Sequence, residues 1–304
     1  MVKADFDRVV WKDETIDDCR HLIRLAVRED LGRGIDLTTQ ALVSESARGS
    51  AHIVARGEGV IAGLMAAHLA IEEMQVDIIW QPFVHDGDAV AAGMRAARLH
   101  GSTRDLLTIE RILLNLIGRL SGVATLTRKY VDAVLGTSAQ IYDTRKTTPG
   151  WRRLEKYAVG CGGGHNHRTG LFDAILIKDN HLAHANLKPD AAVSQAREFL
   201  ARHTDESKPD AYPVEIEVDT LVQFEIALGA DPDIILLDNM TNDELAEAVR
   251  LRNAGHFPVV LEASGGVQLA TAGEIAKTGV DRISVGAITH AAVGQDVALD
   301  WEQA

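Results

Sequence analysis

Cysteine is almost missing from this chain. Only Cys19 and Cys161 occur in 304 residues, so no disulfide framework is implied and a reducing, cytoplasmic setting fits. Positive charge is in the minority: 31 Lys and Arg face 44 Asp and Glu, for a formal net charge of -13. That excess favours solubility and argues against broad binding to nucleic acid or to an anionic membrane. Long apolar runs are lacking too. The nearest, GVIAGLMAAHLAI (59–71), is too short and too interrupted by Gly and His to span a bilayer. The segment MVKADFDRVVWKD has no apolar core of a secretory signal. Nowhere does a Ser-His-Asp arrangement appear in a hydrolytic context.

What is present is a globular composition, 46% hydrophobic and 25% charged, enough for a sizeable core. The chain changes character near residue 135. Before it, Ile16, Cys19, Leu22, Ile23, Ala26, Val27 and Leu31 recur at helical spacing, with Asp13 or Thr15 as cap and Gly32 as stop. SAHIVAR, GVIAG and MRAARLHG read as strands, and 103–135 as two helices broken near Ser121-Gly122. After it, β-rich runs at 139–143, 174–178, 213–218, 233–238, 258–264 and 281–286 alternate with helical stretches. Such alternation means βα units on a parallel sheet. Six strands without a GxGxxG after the first predict a barrel, closed or partly open, rather than a doubly wound sheet. TDESKPDAYP (204–213) reads as a mobile surface loop.

A barrel keeps its chemistry at the C-terminal ends of its strands. Here those ends are Asp143-Thr144-Arg145-Lys146, Lys178-Asp179-Asn180, Glu215 and Glu217 with Asp219, Asp238-Asn239, Glu262-Ala263-Ser264-Gly265-Gly266 and Gly286; Glu215 and Glu217 share one face, where one of them would serve only as a structural partner for a nearby cation. Charge buried without a partner is costly, so a polar or glycine-rich end on every strand speaks for function. Arg145, Lys146, His167, Arg168 and Lys178 suit a polyanion. Glu217 and Asp238 suit hydroxyls or a divalent cation such as magnesium. Ser264, Gly265, Gly266 and Gly286 offer backbone N–H groups to a phosphate. Two anionic substrates fit: a phosphosugar and a small acid.

Each feature also has a plainer explanation. Arg145 and Lys146 alone would be a solvated pair. Cys161, His165 and His167 have no common zinc spacing. Arg111, on an apolar helix, would ordinarily pair with its neighbour Glu110. Lys178 as a Schiff-base lysine would make the protein a lyase of the aldolase type. A purely binding protein is the weakest alternative, because it needs fewer charged strand ends.

DTRKTTPG, LEKYAVGCGGGHNHRTGLFDAILIKDNH, EIEVDT, LLDNM, LEASGG and ISVGAITH closely resemble the quinolinate phosphoribosyltransferase family, as does REDLGRGIDLTT near residue 28. The resemblance covers about residues 15–300. Departures are Trp151 in place of the usual leucine, Ile35 within the N-terminal signature and a longer 204–212 loop. A phosphoribosyltransferase-like protein of molybdenum uptake shares the fold, but the complete HNHR and DTRKTTPG motifs favour quinolinate.

The resemblance implies an α/β protein. Residues 1–135 would form an N-terminal α/β sandwich rejoined by 291–304, and 136–290 a six- or seven-stranded, partly open, TIM-like α/β barrel. It implies phosphoribosyl transfer from 5-phosphoribosyl-1-pyrophosphate to quinolinate, with decarboxylation and Mg2+, in NAD biosynthesis. Catalytic roles fall to Lys146, Lys178, Glu217 and Asp238, the last two also as metal ligands. Substrate contacts fall to Arg111, Thr144, Arg145, Lys146, His167, Arg168, Lys178, Glu217, Asp238, Ser264, Gly265, Gly266 and Gly286. It further implies a homodimer with shared active sites, or a hexamer built from it. Arg111 would reach the partner's site.

Overall fold

The computed structural model describes residues 5–203 and 212–302. Most of the loop expected at 204–213 therefore lies outside the described residues. Among those residues the strands are β1 (Arg48–Ala55), β2 (Gly59–Val60), β3 (Ile78–Pro82), β4 (Ala89–Val90), β5 (Arg95–Ser102), β6 (Gln140–Tyr142), β7 (Ile175–Ile177), β8 (Val214–Val218), β9 (Ile234–Asp238), β10 (Val260–Ser264), β11 (Arg282–Ser284) and β12 (Val297–Trp301). The chain divides into two compact units, one of residues 9–128, 147–163 and 288–302, the other of 5–8, 129–146, 164–203 and 212–287.

The first unit holds an antiparallel sheet of order β12-β1-β5-β3. β12 brings the C-terminal segment back to it, with Ile53 opposite Leu299. Over it runs the helix Thr103–Ala133, whose Leu106, Ile109, Leu113, Ile117 and Leu120 are fully buried at helical spacing. This is one helix and not the two expected. Ser121 spends its hydroxyl on neighbours, accepting from Ala62 N at 2.9 Å and donating to Ala62 O at 3.0 Å. At Gly122 a Cβ would lie 2.2 Å from Val293 O. The pair that reads as a breaker in sequence is thus a packing notch. The N-terminal helix spans Asp13–Leu31 and is capped by neither expected residue; Lys12 takes that place without a side-chain bond. Thr15 is buried and donates to Val10 O at 2.9 Å instead. Gly32 ends the helix as expected, at φ 61.

The second unit is a parallel sheet of order β6-β11-β10-β9-β8-β7. Among the described residues no ladder joins β6 to β7, so the six-stranded barrel is open, as its strand count allows. The sheet's strands are close to continuously apolar. Ile216, Ile235, Leu237, Leu261 and Ile283 are buried, as strands covered on both faces require. Side chains two apart share a face. That rule puts Glu215 with Glu217, Leu236 with Asp238, Glu262 with Ser264, and Arg282 with Ser284. Register sets Glu262 beside Arg282 and Ser264 beside Asp238.

Candidate active site

At the C-terminal ends of these strands a cavity of about 570 Å³ opens within the second unit. Thr144, Arg145, Lys146, His167, Arg168, Lys178, Glu217, Asp238, Ser264, Gly265 and Gly266 all line it. Another cavity, of about 600 Å³, lies in the first unit and is lined by ion-paired surface residues such as Arg56 and Asp300; none of the strand-end chemistry is there.

The cations are held in place by a buried acid. Asp143, fully buried at the end of β6, accepts from Asn166 Nδ2 and from His167 N, each at 2.8 Å. Its own N–H donates to His165 O at 3.0 Å. The His-Asn-His-Arg run is thereby fastened to the strand that presents Arg145 and Lys146. Arg168 is buried and donates from Nη1 to Ala174 O at 3.2 Å. Its Nε has no hydrogen-bond partner among the described residues. Burial first, and the nearby charge of Arg145 second, pull its pKa below the ordinary arginine value. Asp173 steadies the turn that follows, accepting from Thr169 N at 2.6 Å and Gly170 N at 3.0 Å. Thr144 Oγ1 accepts from Lys146 N at 3.0 Å.

On the opposite wall, Glu217 meets the ammonium of Lys178. Burial raises the Glu217 carboxyl, Lys178 opposes that shift, and the charges of Asp238 and Asp179 add to it. Asp238 Oδ2 accepts from Asn239 Nδ2 at 2.6 Å. Asn239 sits at φ 54, and its N–H donates to Ser264 O at 2.9 Å. This closeness dictates the next residue. Gly265 has φ +92, and a Cβ there would lie 2.2 Å from Asn239 Oδ1. Gly266, at φ +58, lines the cavity, and a Cβ there would meet nothing within 4 Å, so the space beside this turn is open.

Beneath the cavity His167 is almost fully buried. Its Nε2 stands 2.9 Å from Glu215 Oε2 and 3.7 Å from Glu262 Oε1. Its Nδ1 accepts from Arg168 N at 2.8 Å. Burial, followed by the charge of Glu215, pushes the Glu262 carboxyl up to about 7. These three are the one group among the described residues with ligand-like spacing, all ligand atoms within 4.8 Å of one another. The Cys161-to-His167 run forms no such group: His165 stacks on Tyr142, and Cys161 belongs to the first unit.

Two expected contacts are not among the residues lining the cavity. Gly286 follows β11 at the start of the short helix Ala287–His290. Arg111 belongs to the first unit, exposed on the helix Thr103–Ala133, and it forms no ion pair with Glu110. Leu176, Leu236 and Ser284 line the cavity without having been singled out, and Asn239, noted only as the strand-end neighbour of Asp238, lines it too. Alternation would have found the first three, since Leu176, Leu236 and Ser284 lie two residues from the expected Lys178, Asp238 and Gly286. Asp143 also escaped notice as an anchor, because only the fold brings the His-Asn-His-Arg run to it.

Comparison with known proteins extends over most of the chain. A family model described as quinolinate phosphoribosyl transferase, C-terminal domain, matches residues 123–300, and the model of the N-terminal domain matches 36–121. A nicotinate-nucleotide pyrophosphorylase [carboxylating] of Mycobacterium leprae is 43% identical over 294 residues, covering 95% of this chain and 99% of that protein. The solved nicotinate-nucleotide pyrophosphorylase of Francisella tularensis is 36% identical with a TM-score of 0.88, covering 98% of this chain and 100% of that one. That of Ehrlichia chaffeensis is 36% identical with a TM-score of 0.82, covering 93% and 98%.

Proposed function

The chain belongs to the quinolinate phosphoribosyltransferase family, and we propose that the cavity lined by Arg145, Lys146, Arg168 and Lys178 is where it joins its two substrates. The reaction moves the phosphoribosyl group of 5-phosphoribosyl-1-pyrophosphate to quinolinate. It yields nicotinate mononucleotide, pyrophosphate and carbon dioxide.

The observation that carries the assignment is one cavity lined by cations, two carboxylates and the Gly-Gly turn that ends β10. Quinolinate has two carboxylates, and forked guanidiniums such as Arg145 and Arg168 suit them. The Nε of buried Arg168, without a hydrogen-bond partner among the described residues, is a donor suited to an anion. The pyridine nitrogen attacks the ribosyl carbon with its own lone pair, so no general base is required. Glu217 and Asp238 stabilise positive charge developing at that carbon and hold the ribose hydroxyls. Lys146 and Lys178 offset the charge of the departing pyrophosphate, and Ser264, Gly265 and Gly266 receive the ribose phosphate. Loss of the C2 carboxylate leaves an electron pair beside a cationic pyridinium nitrogen, which stabilises it.

Two acids at neighbouring strand ends also fit a hard divalent cation. The upward push on Glu217 from burial and from Asp238 is what such a charge would relieve. Magnesium held there, largely through substrate and water, would supply charge neutralisation for pyrophosphate. We read the working protein as a homodimer. Arg111, exposed and without an ion pair to Glu110, would reach the partner's cavity. We place the reaction in the cytoplasm, where thiols left free, as Cys19 and Cys161 are, stay reduced. The lyase alternative loses its support, since Lys178 is ion-paired to Glu217 rather than set against a carbonyl site.

Purified protein given phosphoribosyl pyrophosphate and magnesium, with quinolinate or nicotinate, tests the reading by following nicotinate mononucleotide. Turnover is expected with quinolinate and little with nicotinate, which lacks the C2 carboxylate. Comparable turnover with both overturns the assignment of the cationic wall.

A further inference from the structure

Below the cavity lies a group that the reaction as described does not use. Glu215 and Glu262 are fully buried, and apart from His167 Nε2 beside Glu215 and the Ser284 hydroxyl beside Glu262 neither carboxylate has a hydrogen-bond partner among the described residues. Two carboxylates left so would be costly unless they answer something nearby. Both face the same edge of His167, at 2.9 Å and 3.7 Å from Nε2. The other edge is taken, because Nδ1 accepts the Arg168 N–H at 2.8 Å. A ring nitrogen that accepts carries no proton, so the proton of the neutral ring belongs on Nε2, facing the acids. Phe6 stacks on the ring with centroids 4.3 Å apart, which prevents it from tilting away.

We infer that Glu215 and Glu262 are positioning residues, which hold His167 in its Nε2–H form so that Nδ1 fixes the Arg168 backbone in the cavity wall. The contacts run in one line: acids to Nε2, Nδ1 to the Arg168 amide, Arg168 to the cavity. His167 thus acts as a strut, with neither ring nitrogen left over for quinolinate. This rests on the reading that Arg168 binds a quinolinate carboxylate.

The competing occupant of the three residues is a metal ion. Two observations favour a proton instead. Arg282, whose Nη2 lies 2.9 Å from Asp5, is in register beside Glu262 and already brings positive charge. The Glu262 carboxyl, raised to about 7 by burial and by Glu215, retains a proton near neutrality, which lowers the charge available to a cation.

Ring nitrogen-15 spectra of histidine-labelled protein at pH 7 test the inference directly. The expected result is a neutral His167 protonated on Nε2. An imidazolium or an Nδ1–H ring in the wild type overturns it, whether or not any variant folds. Glu215→Leu should mix the tautomers and raise KM for quinolinate tenfold or more, leaving KM for phosphoribosyl pyrophosphate within twofold. Glu215→Gln, whose amide oxygen still accepts from Nε2–H, should restore both readouts most of the way. Equal rises in the two KM values, or no change in a folded Glu215→Leu protein, overturn the inference. So does a stoichiometric divalent cation that survives chelation and is lost in Glu262→Gln. Wild-type protein that ignores quinolinate sinks the substrate reading alone, and the tautomer then decides the positioning role.

Discussion

Lys178 and Glu217, at the ends of the adjacent strands β7 and β8, are each other's ion-pair partner at the cavity. Lys178 pulls the Glu217 carboxyl down while burial pushes it up further, leaving it raised overall. A raised carboxyl is ionised only at higher pH. The acid limb of the kcat profile should therefore lie above that of an ordinary glutamate. Lys178→Arg should keep the limb near its place, whereas Lys178→Gln should move it upward. A limb that stays fixed in Lys178→Gln would show that Glu217 does not control it.

Arg145 and Arg168 stand on two segments fastened together by Asp143. Losing a charge-assisted bond costs ~1.5–3 kcal/mol, roughly tenfold to a hundredfold in binding. Arg145→Ala and Arg168→Ala should raise KM for quinolinate by that factor and change KM for phosphoribosyl pyrophosphate much less. Steady-state kinetics on variants with unchanged circular dichroism give the answer, and a fully active variant refutes the role.

Gly265 meets two demands, a φ of +92 and a neighbour 2.2 Å from any Cβ. Gly265→Ala should lower stability by ~1–3 kcal/mol, the usual cost of a strained backbone with a clash. The thermal midpoint should fall accordingly. Gly266→Ala has the φ penalty alone and should lower it less. Equal midpoints for the two variants would remove Asn239 as the cause.

Glu262 binds a proton more tightly folded, at about 7, than at its ordinary value of 4.5. Between those values the folded state holds more protons than the unfolded one. Stability from this group is thus fully present below about 4.5 and is lost as pH rises through 7. Urea midpoints across that window should fall less steeply in Glu262→Gln. An identical slope in both proteins would exclude Glu262 as its source.

Arg111 provides the test of a shared site. If it works across a two-fold interface, a heterodimer of Arg111→Ala and Lys178→Ala subunits gathers both lesions in one site and leaves the other intact. Random exchange of equal amounts makes half the dimers mixed, so activity should recover to about a quarter of wild type by symmetry counting. Activity that stays at the single-mutant level despite demonstrated exchange would confine Arg111 to its own subunit.

Much of this protein was legible in its sequence, for a local reason. Strand ends, helix periodicity and turn glycines are set by residues near one another in the chain. Thus β6 to β11 lay where the apolar runs put them, and Thr144 to Lys146, Lys178, Glu217, Asp238 and Ser264 to Gly266 stood out as polar ends of those runs. Other features depend on what arrives from far away. Ser121-Gly122 looks like a break until Ala62 and Val293 pack into it. The three carboxylates behind the cations, Asp143, Glu215 and Glu262, come from three strands and meet His167 or its backbone only when the sheet forms. Sequence determined which residues could hold an anion. Tertiary structure decided which of them face the cavity and which brace it, because buried charge takes its role from its partners, and those are chosen by the fold.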